Sequence, residues 1–320
     1  MSLSTFDAFK RLRLSEAVTP DGAELRALQL TLVGIVRDVF DCCARHGLTC
    51  MVGGGTALGT LRHGGFIPWD DDVDLNMPRT DCERFAALFA AEYGARYWVH
   101  VPGRTPGYSL AHLRVRLKGT CVRTREDLVG VTGEDGAFVD IFTIDATFDN
   151  QLLRIVHGIG SLTFGFLYSC RKFFHERRVL RAWMAENPAL RRAFWVKASV
   201  GCVLAVLPLS RWVRLWEWWN AICGSVRSRL VTIPVGRRHF FGELCPRAEM
   251  CETREIVFEG LAVRAPAGIE AYMRRNYGAD YMTPPPESER ERHVFFAPFR
   301  PSPPVSVSLT AVAGACRDMV

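Results

Sequence analysis

No two of the eleven cysteines stand at C-x-x-C spacing, and their number is odd. Neither a disulfide framework nor a regular zinc site is indicated, and reduced, mostly buried thiols are expected. The first thirty residues lack the apolar stretch of a signal peptide, being broken by Asp7, Lys10, Arg11, Arg13, Glu16, Asp21 and Glu24. A cytoplasmic chain, peripheral at most to a membrane surface, is expected. No apolar run reaches the roughly 20 residues of a spanning helix. Arg154 and His157 interrupt 152–168, and Pro208 closes the run that begins at Ala198. Nucleic-acid modules are missing too, so the net charge of +6 and pI near 8.8 point to an anionic substrate or an acidic membrane surface. What remains is an ordinary globular composition: 320 residues, 48% hydrophobic and 23% charged, enough for one large domain or a domain with an insert.

What is there is concentrated between Gly53 and Leu75, GGGTALGTLRHGGFIPWDDDVDL. Asp70, Asp71, Asp72 and Asp74 put four carboxylates into five residues. Val73, Leu75 and Met77 alternate with polar positions, the period of a half-buried strand. Asp72 and Asp74 would then share one face, with Asp70 just before them. Adjacent like charges repel unless a cation sits between them, and oxygen ligands at a strand end suit Mg²⁺, or Mn²⁺ in its place. A calcium loop starting at Asp70 fails, because its glycine position is Leu75 and its ninth position is Pro78. Upstream, Gly53, Gly54 and Gly55 permit close backbone approach, and Thr56 is placed to cap a helix running to about His63. Helix-start N–H groups attract phosphate, so Gly54, Gly55 and Thr56 are candidate phosphate ligands. Arg62 and His63, at the helix end, are either substrate contacts or residues that suit the helix dipole. A phosphate cradle followed by an acidic strand reads as phosphoryl-transfer chemistry.

Around this core Leu25, Leu28, Leu32, Val36, Val39 and Phe40 recur at helical spacing, with Gly47 at the C-cap. Thr80 and Glu83 read as a capping box before a helix with Phe85, Leu88 and Phe89 inside. WVHV, LAHLRVRL and GTCVRT read as strands with Gly119 turning the last pair, and GEDG (133–136) as a hairpin-like turn into FVDIF. The expected architecture is a mixed sheet with helices on its faces. Asp140 falls in mid-strand, an expensive place for a lone charge. It pairs with an arginine, supplies a third metal carboxylate, or takes the proton of an incoming hydroxyl; Asp145, near the strand end, is the lesser candidate. Arg114 and Arg116 share one strand face, suited to a diphosphate or to solvent.

The segment from Gly54 to Phe85, centred on RHGGFIPWDDDVDLNMPRTDCERF, resembles the LicD family. That family includes bacterial phosphocholine transferases, and its domain recurs in fukutin-related proteins that transfer ribitol phosphate. The likeness continues in LRVRLKGT (113–120), FVDIFTID (138–145), VFEGLAVRAP and YMRRNYGADYMTPP, covering roughly 25–145 and 240–295. The resemblance implies an α/β (α+β), nucleotidyltransferase-like fold: a mixed sheet flanked by helices, with a helical insert. It also implies Mg²⁺ and transfer of a phospho-alcohol group from a CDP-linked donor to a hydroxyl of a glycan or lipid-linked sugar, as in lipopolysaccharide modification. Asp72, Asp74 and Asp140 would hold the metal, with Asp70 in support. Two alternatives remain: a nucleotidyltransferase attacking the α-phosphorus, and an inactive glycan-binding relative. Expected boundaries are a tail at 1–24, a catalytic core at 25–145, an insert at 146–239, the rest of the family domain at 240–300 and a flexible tail at 301–320. Arg290, Arg292 and His293 either reach the site or lie in a polar surface loop.

The insert matches no named motif. It carries Arg171, Lys172, Arg177, Arg178, Arg181, Arg191, Arg192 and Lys197, followed by Trp212, Trp216, Trp218 and Trp219 beside Arg211 and Arg214. Basic residues with aromatics at helical spacing describe a helix lying on an anionic membrane through 171–219, or a helical unit whose aromatics pack inside.

Overall fold

The computed structural model describes residues 20–124, 126–129, 134–186, 188–225, 227–290, 295 and 299–300. The expected tail at 301–320, residues 1–19, Gly133, Arg292 and His293 lie outside the described residues.

Helix α1 (Gly22–His46) buries Leu28, Leu32, Val36 and Val39, the apolar positions at helical spacing. It ends at Gly47, whose φ of 62° is the left-handed cap conformation that disfavours any side chain. Strand β1 (Met51–Val52) leads through Gly53 into α2 (Gly54–His63), and β2 (Asp74–Pro78) runs directly into α3 (Arg79–Tyr93). The capping box expected at Thr80 and Glu83 does not form. Helix α3 starts two residues earlier with Pro78 as its cap, so Thr80 lies within its first turn. Phe85, Phe89 and Cys82 make its buried side.

Strands β3 (Tyr97–His100), β4 (Leu113–Leu117) and β5 (Phe138–Ala146) complete the main layer. GTCVRT is not a strand: Gly119 turns the chain with φ 79°, but only Cys121 pairs, with Arg300. The Thr120 hydroxyl donates to Leu117 O and accepts from Ala137 N–H, both at 2.8 Å, which ties this segment to the sheet edge instead. The sheet order is β1-β2-β5-β4-β3, with β2 and β5 parallel and the other neighbours antiparallel. The far end of β5 also pairs with β6 (Leu230–Thr232), which pairs with β7 (Cys245–Pro246). The sheet is mixed, as expected. Val73, Leu75, Met77, Val115, Val139 and Ile141 alternate onto one face and are fully buried beneath α1 and α3. The opposite face carries the charged residues.

Four helices follow β5: α4 (Gln151–His175), α5 (Arg177–Glu186), α6 (Pro188–Val203) and α7 (Leu209–Asn220). Asn150 caps α4, its side chain accepting from the N–H groups of Leu152 and Leu153. His157 joins α4 to its surroundings through Thr147 Oγ1 at 3.0 Å and the Trp219 carbonyl at 2.9 Å. Three of the four clustered tryptophans turn inward. The indole N–H of Trp212 donates to Leu204 O, that of Trp216 to Ser161 Oγ, and that of Trp219 to His157 O. Gly160 and Gly165 leave the space that the Trp219 and Trp216 rings fill. Trp218 alone of these four is largely exposed, at 58%. Among the described residues no single helix is long and apolar enough to cross a membrane; Arg191–Val206 and Leu209–Asn220 qualify only as a pair bent by 94°.

After a short α8 (His239–Gly242) and α9 (Arg247–Cys251), the chain returns to β1 and α2. It does so as the hairpin β8 (Thr253–Phe258) and β9 (Leu261–Pro266), followed by α10 (Ile269–Tyr277). The hairpin turn, Glu259–Gly260, has positive φ at both residues. Its Glu259 carboxylate accepts from Phe66 N–H at 3.1 Å and from Arg26 at 2.8 Å, tying the hairpin to the loop before the acidic run.

Candidate functional site

The glycine turn faces the carboxylates. A Cβ on Gly54 would run into Asp74 Oδ2, one on Gly53 would meet the Asn76 amide, and one on Gly55 would come within 3.2 Å of Asp70 Oδ2. Gly54 also has φ 44°, a left-handed conformation costly for other residues. Gly53 and Gly54 are thus required by the Asn76 and Asp74 side chains that occupy their missing Cβ space. Thr56 is not the helix cap: Gly53 is, with φ −127°. The buried Thr56 hydroxyl instead accepts from Asp74 N–H at 2.9 Å, fastening α2 to β2. Gly54 N–H donates to the Tyr272 hydroxyl of α10 at 3.1 Å. These two bonds engage Gly54 N–H and the Thr56 hydroxyl within the protein, and the turn also packs against the Asp74 and Asp70 carboxylates. The positive end of α2 lies beside them.

Asp70, Asp71 and Asp72 each offer an oxygen within 4.8 Å of the others, close enough to share one cation. Asp71 is buried, at 4% exposure, and the other two are half-buried. Asp70–Val73 precede the strand, which begins only at Asp74. The Asp140 N–H still reaches Val73 O at 2.9 Å, so the extended path starts one residue early. Gln29 Nε2 donates to Asp70 O at 3.0 Å and holds the turn from α1. Among the described residues, Asp72, Asp74 and Asp140 do not offer three oxygens within 4.8 Å of one another. The acidic group is Asp70–Asp71–Asp72, and Asp71 was the member the sequence reading passed over.

Asp74 and Asp140 are register partners on the parallel pair β2 and β5, and Asp140 is opposite Arg114 on β4, which is opposite His100 on β3. One polar row therefore crosses the sheet: Asp74, Asp140, Arg114, His100. Asp140 is bound bidentately by Arg114, Nε to Oδ1 at 2.6 Å and Nη2 to Oδ2 at 2.8 Å, with His112 Nε2 at 3.3 Å. Burial alone would raise its pKa, but Arg114 and His112 prevail and hold it well below the usual carboxylate range. Of the three roles open to Asp140, the structure realises the arginine pair. Arg116 is also engaged: its Nη2 binds both Asp127 oxygens, at 2.9 and 3.0 Å. Phe138 lies under both guanidinium groups, 3.7 Å from Arg114 and 5.3 Å from Arg116. The two arginines share a face as expected, yet it is neither solvated nor open to a diphosphate. Asp145 is taken by Arg79, which also reaches Glu217 at 2.9 Å.

Arg62 donates to Tyr281 O at 3.0 Å and lies in the field of Asp70; its neighbour His63 is exposed at the last turn of α2, before the left-handed Gly64. Arg290 stacks on Trp69, 4.1 Å from the ring centroid, which brings the C-terminal segment beside Asp70. His100 has its pKa pushed down to about 4 by burial, then by Arg116 and Arg114. The unfolded chain therefore binds the extra proton between the ordinary value of 6.5 and about 4, and the stability contributed by neutral His100 is lost as pH falls through that window. The melting temperature of the wild type should drop more steeply over that range than that of His100→Asn.

The Gly54 contact gives a second expectation. Gly54→Ala must distort the turn or displace Asp74, at a cost of about 1–3 kcal/mol for the strained backbone alone. Urea denaturation beside the nearby Gly64→Ala, whose added Cβ meets nothing within 4 Å but whose φ of 69° is equally left-handed, separates the Asp74 clash from the backbone term.

Residues 47–148 match the family model of the LicD/FKTN/FKRP nucleotidyltransferase domain. The chain is 40% identical over 73 residues to the lipopolysaccharide cholinephosphotransferase LicD of Haemophilus influenzae, a stretch covering 23% of this chain and 28% of that protein. It is 31% identical over 72 residues to an uncharacterized protein of Rickettsia typhi, covering 22% of this chain and 20% of that protein. A third likeness, 33% over 52 residues, is to an uncharacterized protein of Rickettsia prowazekii, covering 16% and 20%. The matches thus span less than a third of these relatives' length.

Proposed function

We propose, from the premise that this chain carries a LicD-family domain over residues 47–148, that it is a phosphotransferase of the LicD type. In this reading a glycan hydroxyl attacks the β-phosphorus of a CDP-linked alcohol. A new O–P bond forms, the bond from the β-phosphorus to the bridging oxygen breaks, and CMP leaves with that oxygen. The observation that carries the reading is the packing of Asp70, Asp71 and Asp72 into one group beside the N-terminus of α2. Three carboxylates so close suit a hard divalent cation, and Asp70, Asp71 and Asp72 are the residues that would hold Mg²⁺ or Mn²⁺. Such an ion, when bound, neutralises charge that grows on a leaving phosphate.

Asp74, half-buried at the head of β2, is the carboxylate this reading leaves to take the acceptor proton. Asp140 is a weak base in its arginine pair, and it serves to lock β4 to β5. Arg62 and Arg290, on opposite chain segments near Asp70, are the cations this reading assigns to the donor phosphates. Incubation with a panel of CDP-alcohols and a glycan acceptor, read by mass spectrometry, tests it. A phospho-alcohol on the acceptor and free CMP are expected. A nucleotide left on the acceptor would instead mean attack at the α-phosphorus, in keeping with the nucleotidyltransferase label of the matching domain.

A further inference from the structure

The helical segment after β5 has an exposed apolar stripe that the reaction does not use. Leu152, Ile155, Val156, Ile159, Leu162 and Phe166 of α4 are each 38–74% exposed. At about 100° per residue they fall within roughly a third of the helix circumference, along about 21 Å of its axis. Phe174, two turns beyond Phe166 on the same arc, lines a cleft of about 400 Å³ together with Arg177, Arg178, Arg181, Phe194 and Trp195. Among the described residues none of these three arginines pairs with a carboxylate. The adjacent acid, Glu176, is buried and lies 3.6 Å from Lys172. From Arg171 to Asn220 the chain has ten Lys and Arg against three Glu. The stripe thus runs straight into a cleft lined by three arginines.

We propose that this face docks on an anionic lipid bilayer, with the α4 stripe lying in the interface and the Arg177–Arg178–Arg181 cleft receiving a lipid phosphate. A bilayer offers both features in the right order, apolar matter beside a layer of phosphates. A second copy of the chain fits worse, since it would set the same arginines against each other. The tryptophans are not the anchors that their spacing suggests: Trp212, Trp216 and Trp219 are committed to internal hydrogen bonds.

The test is co-sedimentation of the full chain with vesicles of phosphatidylcholine alone or mixed with phosphatidylglycerol, at low and high salt. Binding is expected only to the mixed vesicles, and salt should release it. Arg177→Glu/Arg178→Glu/Arg181→Glu and, separately, Val156→Asp/Ile159→Asp should each weaken partitioning at least about tenfold. Unchanged melting temperatures are expected, because all five side chains are half-buried or exposed. The proposal is overturned if the wild type stays in the supernatant at low salt, or if either variant binds like the wild type. A wild-type dimer that Val156→Asp/Ile159→Asp converts to monomer would assign the face to a second copy. Resistance to alkaline carbonate would replace surface docking by insertion.

Discussion

Asp140→Asn should destabilise the protein by about 3–5 kcal/mol, the scale for breaking one side of a buried ion pair. Both partners are almost fully buried, and Asp140 spends both oxygens on Arg114. The asparagine leaves the guanidinium charged and half-satisfied beneath the sheet. Because the pair depresses the Asp140 pKa, its stabilisation is present above the ordinary value of 3.8 and is lost as pH falls below it. The difference between wild type and variant in urea should therefore shrink in strong acid. Arg114→Met/Asp140→Leu should recover much of the loss, since an apolar pair can replace a buried ionic one. A variant with unchanged denaturation midpoint but lost transfer would return Asp140 to the reacting groups.

Asp72→Asn should have the opposite signature. Transfer should fall at least about a hundredfold, the scale of a lost group at the reacting centre. The metal-free protein should melt no lower than wild type and even higher, because repulsion within the Asp70–Asp72 group is relieved. Mn²⁺ should raise the wild-type melting temperature by binding the folded state and leave that of the variant unmoved. Chelation should abolish wild-type transfer, and Mg²⁺ should restore it. Full transfer in excess chelator would sink the assignment of these carboxylates, whereas a missing Mn²⁺ shift alone would count against the binding step.

The contrast between these two aspartates marks how far the sequence could be read. The acidic run, the glycine turn and α1 were legible because their meaning lies in covalent neighbours and in helical or strand period. The mixed sheet followed from the same patterns. Strand register was not legible. Asp140 and Arg114 are 26 residues apart, and although an arginine pair was one reading of Asp140, nothing in the sequence says that Arg114 is the partner. His100 and His112 were missed for the same reason, since nothing in WVHV or LAHL says which strand will lie alongside. Thr56 was misread because a threonine near a helix start looks the same whether its hydroxyl caps that helix or, as here, takes the first N–H of another strand. The tryptophans stand at a spacing that suits bilayer and core alike. The deciding residues, Gly160 and Gly165, lie on a helix some fifty residues earlier.

The turn that seats the carboxylates depends on residues made much later on the ribosome. Gly54 finds its hydroxyl partner 218 residues downstream in Tyr272, Phe66 its carboxylate 193 residues on in Glu259, and Arg62 its carbonyl 219 residues on at Tyr281. A nascent chain that has emerged through β7 can pair every strand of the main sheet. It still lacks the hairpin and α10 that hold the acidic turn in shape. Closing loops of that length is slow compared with local pairing. The acidic turn therefore gains its last supports only after the strands of the main sheet are available to pair. A chain cut short after β7 would lack all three of these supports of the acidic turn.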